Sequence, residues 1–137
     1  MNLTIRYVEP DHAAETWPFV EEFIASAIPY GDDDYTLDQA KMFVCLGQWL
    51  LLVAVDEENK LHGAATIIFT NYPNSRVAFI TFIGGRLISN QDTFKQMVAI
   101  LKQRGATKIQ GAARPAIARL WKRYGFEEVT TIVGTDI

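Results

Sequence analysis

Apolar and polar residues recur along the chain with two different periods, and these periods predict its strands and helices. Short alternating or wholly apolar runs are typical of strands, and apolar residues that return every three or four positions are typical of one helical face. The predicted strands cover 3–8, 49–55, 64–70, 77–83, 108–112 and 128–133, and the predicted helices cover 11–27, 36–48, 89–104 and 114–124. This order predicts an α/β fold with a central mixed, mostly antiparallel sheet of about six strands and helices on both faces.

Individual residues mark the boundaries of several predicted helices. Pro18 lies inside the first helix and predicts a kink or a fresh start at that point. Thr36 with Gln39 three residues later has the spacing of a capping box. Ser89 with Asp92 has the same spacing and predicts the start of the helix that follows the fourth strand. The first helix is therefore expected as one bent helix or two short ones.

Length and composition are those of one folded domain covering residues 1–137. The chain is 49% hydrophobic and 21% charged, which excludes a disordered or low-complexity protein. It has no apolar run long enough to span a bilayer, no leader segment is expected, and its single cysteine cannot form an internal disulfide. We therefore expect a cytoplasmic protein. Neither His12 nor His62 has a partner at metal-ligand spacing, so no metal site is expected.

The charges are segregated along the sequence. Residues 1–68 contain twelve acidic and three basic residues, a net charge of −9, whereas residues 69–126 contain ten basic and one acidic residue, a net charge of +9. Three further carboxylates follow in 127–137 and bring the total to −3. Two interpretations follow: the halves fold against each other and neutralise, or the stretch from Arg86 to Arg123 forms a face that binds an anion.

The end of the chain and the order of elements resemble a known family. Residues 120–126, Leu-Trp-Lys-Arg-Tyr-Gly-Phe, are followed by an acidic pair and a predicted strand. This ending resembles the C-terminal signature of the GCN5-related N-acetyltransferases (GNATs). The resemblance implies a sheet splayed between its fourth and fifth strands, acetyl-CoA bound in the splay, and acetyl transfer to an amine. The cofactor-binding residues that it implies are the strand end Phe82, Ile83, Gly84 and Gly85, with Arg86 as a phosphate ligand.

Two features of that family are missing from this sequence. The family's glycine-rich pyrophosphate loop follows the fourth strand, but 84–92 contains neither Gly-x-Gly nor Gly-x-Ala, and Asp92 stands in the first turn of the next helix, where a phosphate would be favoured. Trp121 stands where many members have a tyrosine that acts as general acid, and an indole cannot supply that proton. Tyr124 is expected in the core. No catalytic residue is therefore assigned.

A narrower resemblance is to small proteins with a degenerate acetyltransferase fold that tailed bacteriophages encode, including an internal virion protein of short-tailed phages. It rests on Gly-Gly at 84–85, Arg-Gly-Ala at 104–106, Gly-x-x-Arg at 111–114 and Gly-Phe at 125–126. This resemblance implies a phage accessory or virion-associated protein, in the host cytoplasm or the virion.

Two functions are weighed on these grounds. The first is a binding protein without acetyltransferase activity, which contacts a protein partner or an anionic ligand through the Arg86–Arg123 face; the pI of 5.3 argues against nucleic acid. The alternative is an acetyl-CoA-dependent N-acetyltransferase with an atypical pyrophosphate loop. In that case Glu21, Glu22 or the loop 32–34 would bind or deprotonate the amine.

Overall fold

The computed structural model describes residues 1–31 and 34–137. Its elements follow the predicted order as far as the last helix. They are β1 (Thr4–Val8), α1 (Pro10–Ala27) with a 3-10 turn (Ile28–Tyr30), α2 (Leu37–Cys45), β2 (Leu50–Val55), β3 (Leu61–Tyr72), β4 (Ser75–Gly85), α3 (Gln91–Gln103), β5 (Lys108–Gly111), and α4 (Pro115–Trp121) with a 3-10 turn (Lys122–Tyr124).

The five strands form one sheet in the order β1-β2-β3-β4-β5. The first three pairings are antiparallel, and β4 pairs with β5 in parallel. The expected mixed, mostly antiparallel sheet is thus confirmed, with five strands where about six were expected. The predicted strand at 128–133 is wrong, because residues 125–137 form neither helix nor strand. Their strand propensity alone does not make a strand, since a strand is stabilised by its cross-strand neighbours.

Helices cover both faces of the sheet, and alternate residues of the strands contact the two layers. On β2, Leu51 and Val53 pack with α1 and α2, whereas Leu52 and Ala54 pack with α3 and α4. All six residues of β2 are buried. This two-sided burial explains why the sequence there is a continuous apolar run instead of an alternating one.

The helix boundaries agree with the sequence at one predicted cap and differ at two other positions. The capping box predicted at Thr36 is present. Helix α1 runs through Pro18 without a break, and this proline is exposed on its outer side. Helix α3 is capped by Asn90, whose side chain accepts a hydrogen bond from the Thr93 amide at 2.9 Å, and not by Ser89. No helix within the described residues is long and apolar enough to cross a bilayer.

Candidate functional site at the divergence of β4 and β5

Strand β4 carries a β-bulge at the point where it separates from β5. Thr66 and Ile67 of β3 lie opposite Phe82 and Ile80, so Thr81 is an extra residue in β4. The β4–β5 ladder ends at the same place, with its last pair at Ile80. A bulge bends its strand and increases the local twist. The rest of β4 therefore keeps its ladder with β3 and leaves β5, which creates a gap that we call the β4–β5 opening.

Two buried threonine hydroxyls fix the bulge. The hydroxyl oxygens of Thr66 and Thr81 lie 2.6 Å apart, and the Thr81 hydroxyl donates to the carbonyl oxygen of Thr66 at 2.9 Å. Both residues are buried, so each hydroxyl needs its partner inside the protein. Sequence reasoning missed this pair; its signal was a threonine flanked on both sides by apolar residues in each of two strand runs.

The mouth of the opening is bridged by an arginine and a tyrosine. The guanidinium carbon of Arg114 lies 4.6 Å from the centre of the Tyr30 ring. Tyr30 follows α1 on the β4 side, and Arg114 precedes α4 on the β5 side. Phe82 lies buried beneath this side of the opening, and a Cβ placed on Gly31 would come within 2.8 Å of its ring. The opening thus has an aromatic wall and a cation at its edge.

The two glycines of the predicted cofactor site are in close contact with helix α1. A Cβ on Gly84 would lie 2.8 Å from the carbonyl carbon of Phe23 and closer still to its oxygen. A Cβ on Gly85 would lie 2.7 Å from the Phe23 ring, and Gly85 has a φ of 66°. Of the other predicted residues, Phe82 is buried, Ile83 is half-buried and Arg86 is exposed. These glycines therefore allow α1 to approach β4.

The loop between β4 and α3 uses much of its hydrogen-bonding capacity internally. The Arg86 amide donates to a carbonyl of β3 at 2.8 Å, and the amides of Ser89 and Asn90 both donate to the Thr93 hydroxyl, at 3.0 and 3.2 Å. The side chain of Leu87 is fully buried and anchors the loop in the core. This loop does not fit a pyrophosphate in the way that converging free amides of a glycine-rich loop would.

The first turn of α3 contains Asp92, as predicted, and the structure gives this carboxylate a partner. Its Oδ2 accepts a hydrogen bond from Gln96 Nε2 at 2.9 Å. Gln96 also accepts from the Ile5 amide at 2.8 Å and donates to the Leu3 carbonyl at 3.1 Å. The negative charge at this helix N-terminus is therefore part of a network that joins α3 to the outer edge of β1.

Trp121 and Tyr124 both lie in packed surroundings. Trp121 is buried, its ring centre lies 5.2 Å from that of Phe126, and a Cβ on Gly111 would touch its ring at 3.3 Å. The Tyr124 ring stacks on Phe94 with a centroid distance of 5.2 Å. Trp121 thus packs in the core, whereas Tyr124 is half-buried and stacks on Phe94 outside the core clusters.

The charges of the first and the last helix lie on opposite faces of the sheet. Helix α1 carries four carboxylates and no lysine or arginine, while α4 and its 3-10 turn carry three cations and no carboxylate. Among the described residues, the two ion pairs both involve histidine, His12 with Glu15 and His62 with Asp56, and none joins a lysine or arginine to a carboxylate. The expected neutralisation of one half by the other is therefore not achieved by direct ion pairs in this part of the chain.

Two arginines, Arg104 within the Arg86–Arg123 stretch and Arg76 before it, have structural roles. The Arg104 guanidinium lies 4.0 Å from the centre of the Tyr7 ring, and that of Arg76 lies 4.5 Å from the centre of the Phe69 ring. Arg76 Nε also donates to the Arg104 carbonyl at 3.0 Å. The cations left exposed on this side are Arg86, Lys95, Lys102, Lys108, Arg114, Arg119, Lys122 and Arg123.

The predicted acceptor-binding carboxylates are only partly described. Glu21 and Glu22 are exposed on α1, and Asp34 is exposed before α2, whereas Asp32 and Asp33 lie outside the described residues. Over residues 1–31 and 34–137, no group of three or more histidine, cysteine or acidic side chains gathers as a metal site.

Comparison with known proteins identifies the fold. No protein-family model matches the sequence, and the comparison with curated proteins gives no match. Solved structures match over the whole chain. AAC(6')-Iy in complex with the bisubstrate analogue CoA-S-monomethyl-acetylneamine is 16% identical with a TM-score of 0.68, covering 100% of this chain and 99% of its own.

Two further structures agree. The aminoglycoside antibiotic 6'-N-acetyltransferase AAC(6')-Ih from Acinetobacter baumannii is 17% identical with a TM-score of 0.63, covering 99% of this chain and 98% of its own. A predicted acetyltransferase with acetyl-CoA from Clostridium acetobutylicum is 16% identical with a TM-score of 0.64, and the match covers 98% of this chain and 96% of that one. Together with the bulged β4 and its divergence from β5, these likenesses show that the chain has the fold of the GNAT acetyltransferases.

Proposed function

We propose that this protein binds acetyl-CoA in the β4–β5 opening and transfers the acetyl group to an amine. The observation that carries the proposal is the bulge at Thr81, which leaves the rest of β4 without a neighbour on the β5 side. An unpaired strand edge recognises an extended chain of amide groups as it would recognise another strand. The pantetheine arm of CoA is such a chain, and Phe82 and Ile83 lie on the edge that would receive it.

In this proposal the phosphates of the cofactor are bound by groups other than a glycine-rich loop of the kind found in the family. Three amides of the β4–α3 loop are already paired, and Asp92 is unfavourable for an anion. Exposed side chains offer further donors, and Arg86 and Arg114 flank the opening. We assign phosphate binding to these two guanidinium groups, which form strong charge-assisted hydrogen bonds. Bound acetyl-CoA supplies the activated acetyl thioester.

The acceptor in this proposal is a cationic amine. Glu21 and Glu22 are exposed on α1 beside Phe23, whose backbone contacts Gly84 near the end of β4, and Asp34 is exposed before α2; in this proposal these carboxylates form a negative surface near the opening. Such a surface attracts and orients a polyamine-like molecule through long-range electrostatics. Structures that share this fold include aminoglycoside acetyltransferases, whose acceptors carry several amino groups.

The test is calorimetric titration with acetyl-CoA, combined with a matched pair of arginine variants. Arg114→Gln should weaken binding about tenfold, the loss of one charge-assisted hydrogen bond to phosphate. Arg6→Gln removes the same charge from an exposed position on β1, at the other edge of the sheet, and should leave affinity unchanged. Equal losses in the two variants, or no binding by the unaltered protein, would contradict the proposed site.

A second candidate is a binding protein without catalysis. The internally paired loop amides and the buried Trp121 in place of the tyrosine favour it. The two candidates differ in turnover: with acetyl-CoA and a panel of polyamines and aminoglycosides, the enzyme releases free CoA faster than buffer does, and the binding protein does not. The phage accessory role stays a prediction from the sequence resemblance.

A further inference from the structure

Tyr30 stands at the mouth of the β4–β5 opening on a turn that is fixed against β4. Next to it, the Gly31 amide donates a hydrogen bond to the carbonyl oxygen of Ile28 at 3.2 Å. A Cβ placed on Gly31 would lie 2.8 Å from the ring of Phe82, which is buried on β4. The turn is therefore packed directly on the strand, while the Tyr30 side chain itself is 51% exposed. The structure thus presents this ring to the opening from a rigid base.

Arg114 stands on the other side of the opening, where its backbone is fixed and its side chain is exposed. It follows β5 and is the N-cap residue of α4. Its carbonyl oxygen accepts hydrogen bonds from the amides of Ile117 and Ala118, at 3.0 and 2.9 Å. The exposed side chain reaches across the opening, because its guanidinium carbon lies 4.6 Å from the centre of the Tyr30 ring.

A contact of this kind orients a guanidinium group without using its hydrogen-bond donors. A cation over an aromatic ring is attracted by the negative face of the ring, and a stacked guanidinium keeps its N–H groups in its own plane, where they match the geometry of a phosphate. An arginine side chain without such a contact samples many rotamers, and ordering it at the moment of binding weakens the affinity for the ligand. The ring of Tyr30 therefore orders Arg114 before any ligand is bound.

We propose that Tyr30 is a positioning residue that holds the guanidinium of Arg114 in place for the phosphates of acetyl-CoA. The inference rests on the proposed function, in which Arg114 binds phosphate. It moves part of the phosphate binding away from the first turn of α3, where Asp92 is negatively charged, to an ordered side chain on the β5 side. The affinity for the phosphate-bearing part of the cofactor then depends on the Tyr30 ring, whereas the affinity for the pantetheine arm along β4 does not.

NMR titration of the full chain with acetyl-CoA and with S-acetylpantetheine, which lacks the phosphates and the nucleoside, tests this role. Tyr30→Ala should weaken binding of acetyl-CoA about two- to tenfold, because Arg114 must then be ordered during binding. The same variant should bind S-acetylpantetheine as the unaltered protein does. Tyr30→Phe keeps the ring and should restore the affinity for acetyl-CoA. In an Arg114→Gln background, Tyr30→Ala should cause no further loss, since the two residues act as one unit.

Tyr72→Ala is the matched control. Tyr72 is 57% exposed beside the β3–β4 turn, at the other end of β4, so its truncation should leave both affinities unchanged. Because Tyr30 is itself half exposed, circular dichroism should show the same fold in all variants.

Three results would overturn the positioning role while leaving the proposed function in place. Unchanged affinity of Tyr30→Ala for acetyl-CoA would show that the ring does not order Arg114. Tighter binding would mean that the ring holds the arginine back from the phosphates. Equal losses for acetyl-CoA and S-acetylpantetheine would mean that Tyr30 contacts the pantetheine arm itself. If the unaltered protein does not bind acetyl-CoA, the proposed function is refuted, and this inference with it.

Discussion

Replacing Gly84 by alanine tests whether this glycine serves helix packing. The new Cβ would lie 2.8 Å from the carbonyl carbon of Phe23, and backbone of α1 cannot rotate away as a side chain would. Overpacking of this kind lowers the free energy of unfolding by about 1–3 kcal/mol. Alanine also reduces the entropy of the unfolded chain, which raises the free energy of unfolding by less than about 1 kcal/mol. We expect a net loss of about 2 kcal/mol, or about 7 °C in Tm for a chain of 137 residues.

The matched control is Gly134→Ala. This glycine has no atom within 4 Å of the added Cβ and no positive φ, so the substitution should leave Tm unchanged or raise it slightly. Differential scanning calorimetry on both variants gives the comparison. If Gly84→Ala has the Tm of the unaltered protein while its affinity for acetyl-CoA falls, Gly84 is a cofactor-binding glycine and our assignment to packing is refuted.

The remaining predictions concern two polar pairs. Thr81→Val leaves the buried Thr66 hydroxyl without its partner and should lower the free energy of unfolding by about 1–3 kcal/mol in urea titrations, with the double valine variant losing less than the sum of the single ones. The hydrogen bond from His62, together with the Lys60 amide, lowers the pKa of Asp56, so the stabilisation is complete at neutral pH and is lost as pH falls through that lowered pKa. Asp56→Asn should therefore be less stable at pH 7 and approach the unaltered protein below about pH 4; a constant difference would contradict this assignment.

Hydrophobic periodicity predicted most of the elements because the core is divided into two layers. The continuous apolar run at 49–55 became β2, which is buried on both faces, and the capping signal at Thr36 marks the true start of α2. The same reasoning failed at 128–133, where strand-forming residues have no partner within the described chain. Hydrophobic periodicity predicts which secondary structure a segment favours, but a strand forms only where a neighbouring strand pairs with it.

The features of the candidate site were less accessible from sequence. The bulge at Thr81 arises from the register between two strands, and register is a property of the pair and not of either sequence. The contact between Arg114 and Tyr30 joins residues 84 positions apart, which no local pattern encodes. The sequence singled out Gly84 as a glycine at the end of a strand. It could not show that the backbone of Phe23, from a helix distant in the sequence, leaves no room there for a side chain.

The most direct test of the central claim is hydrogen exchange of the full chain with and without acetyl-CoA. Binding along the unpaired edge of β4 predicts slower exchange at 81–85, where the strand has left β5, and no change in β1, which lies at the far edge of the sheet. Unchanged exchange at 81–85 in the presence of saturating acetyl-CoA, or protection confined to other elements, would contradict a cofactor site in the β4–β5 opening.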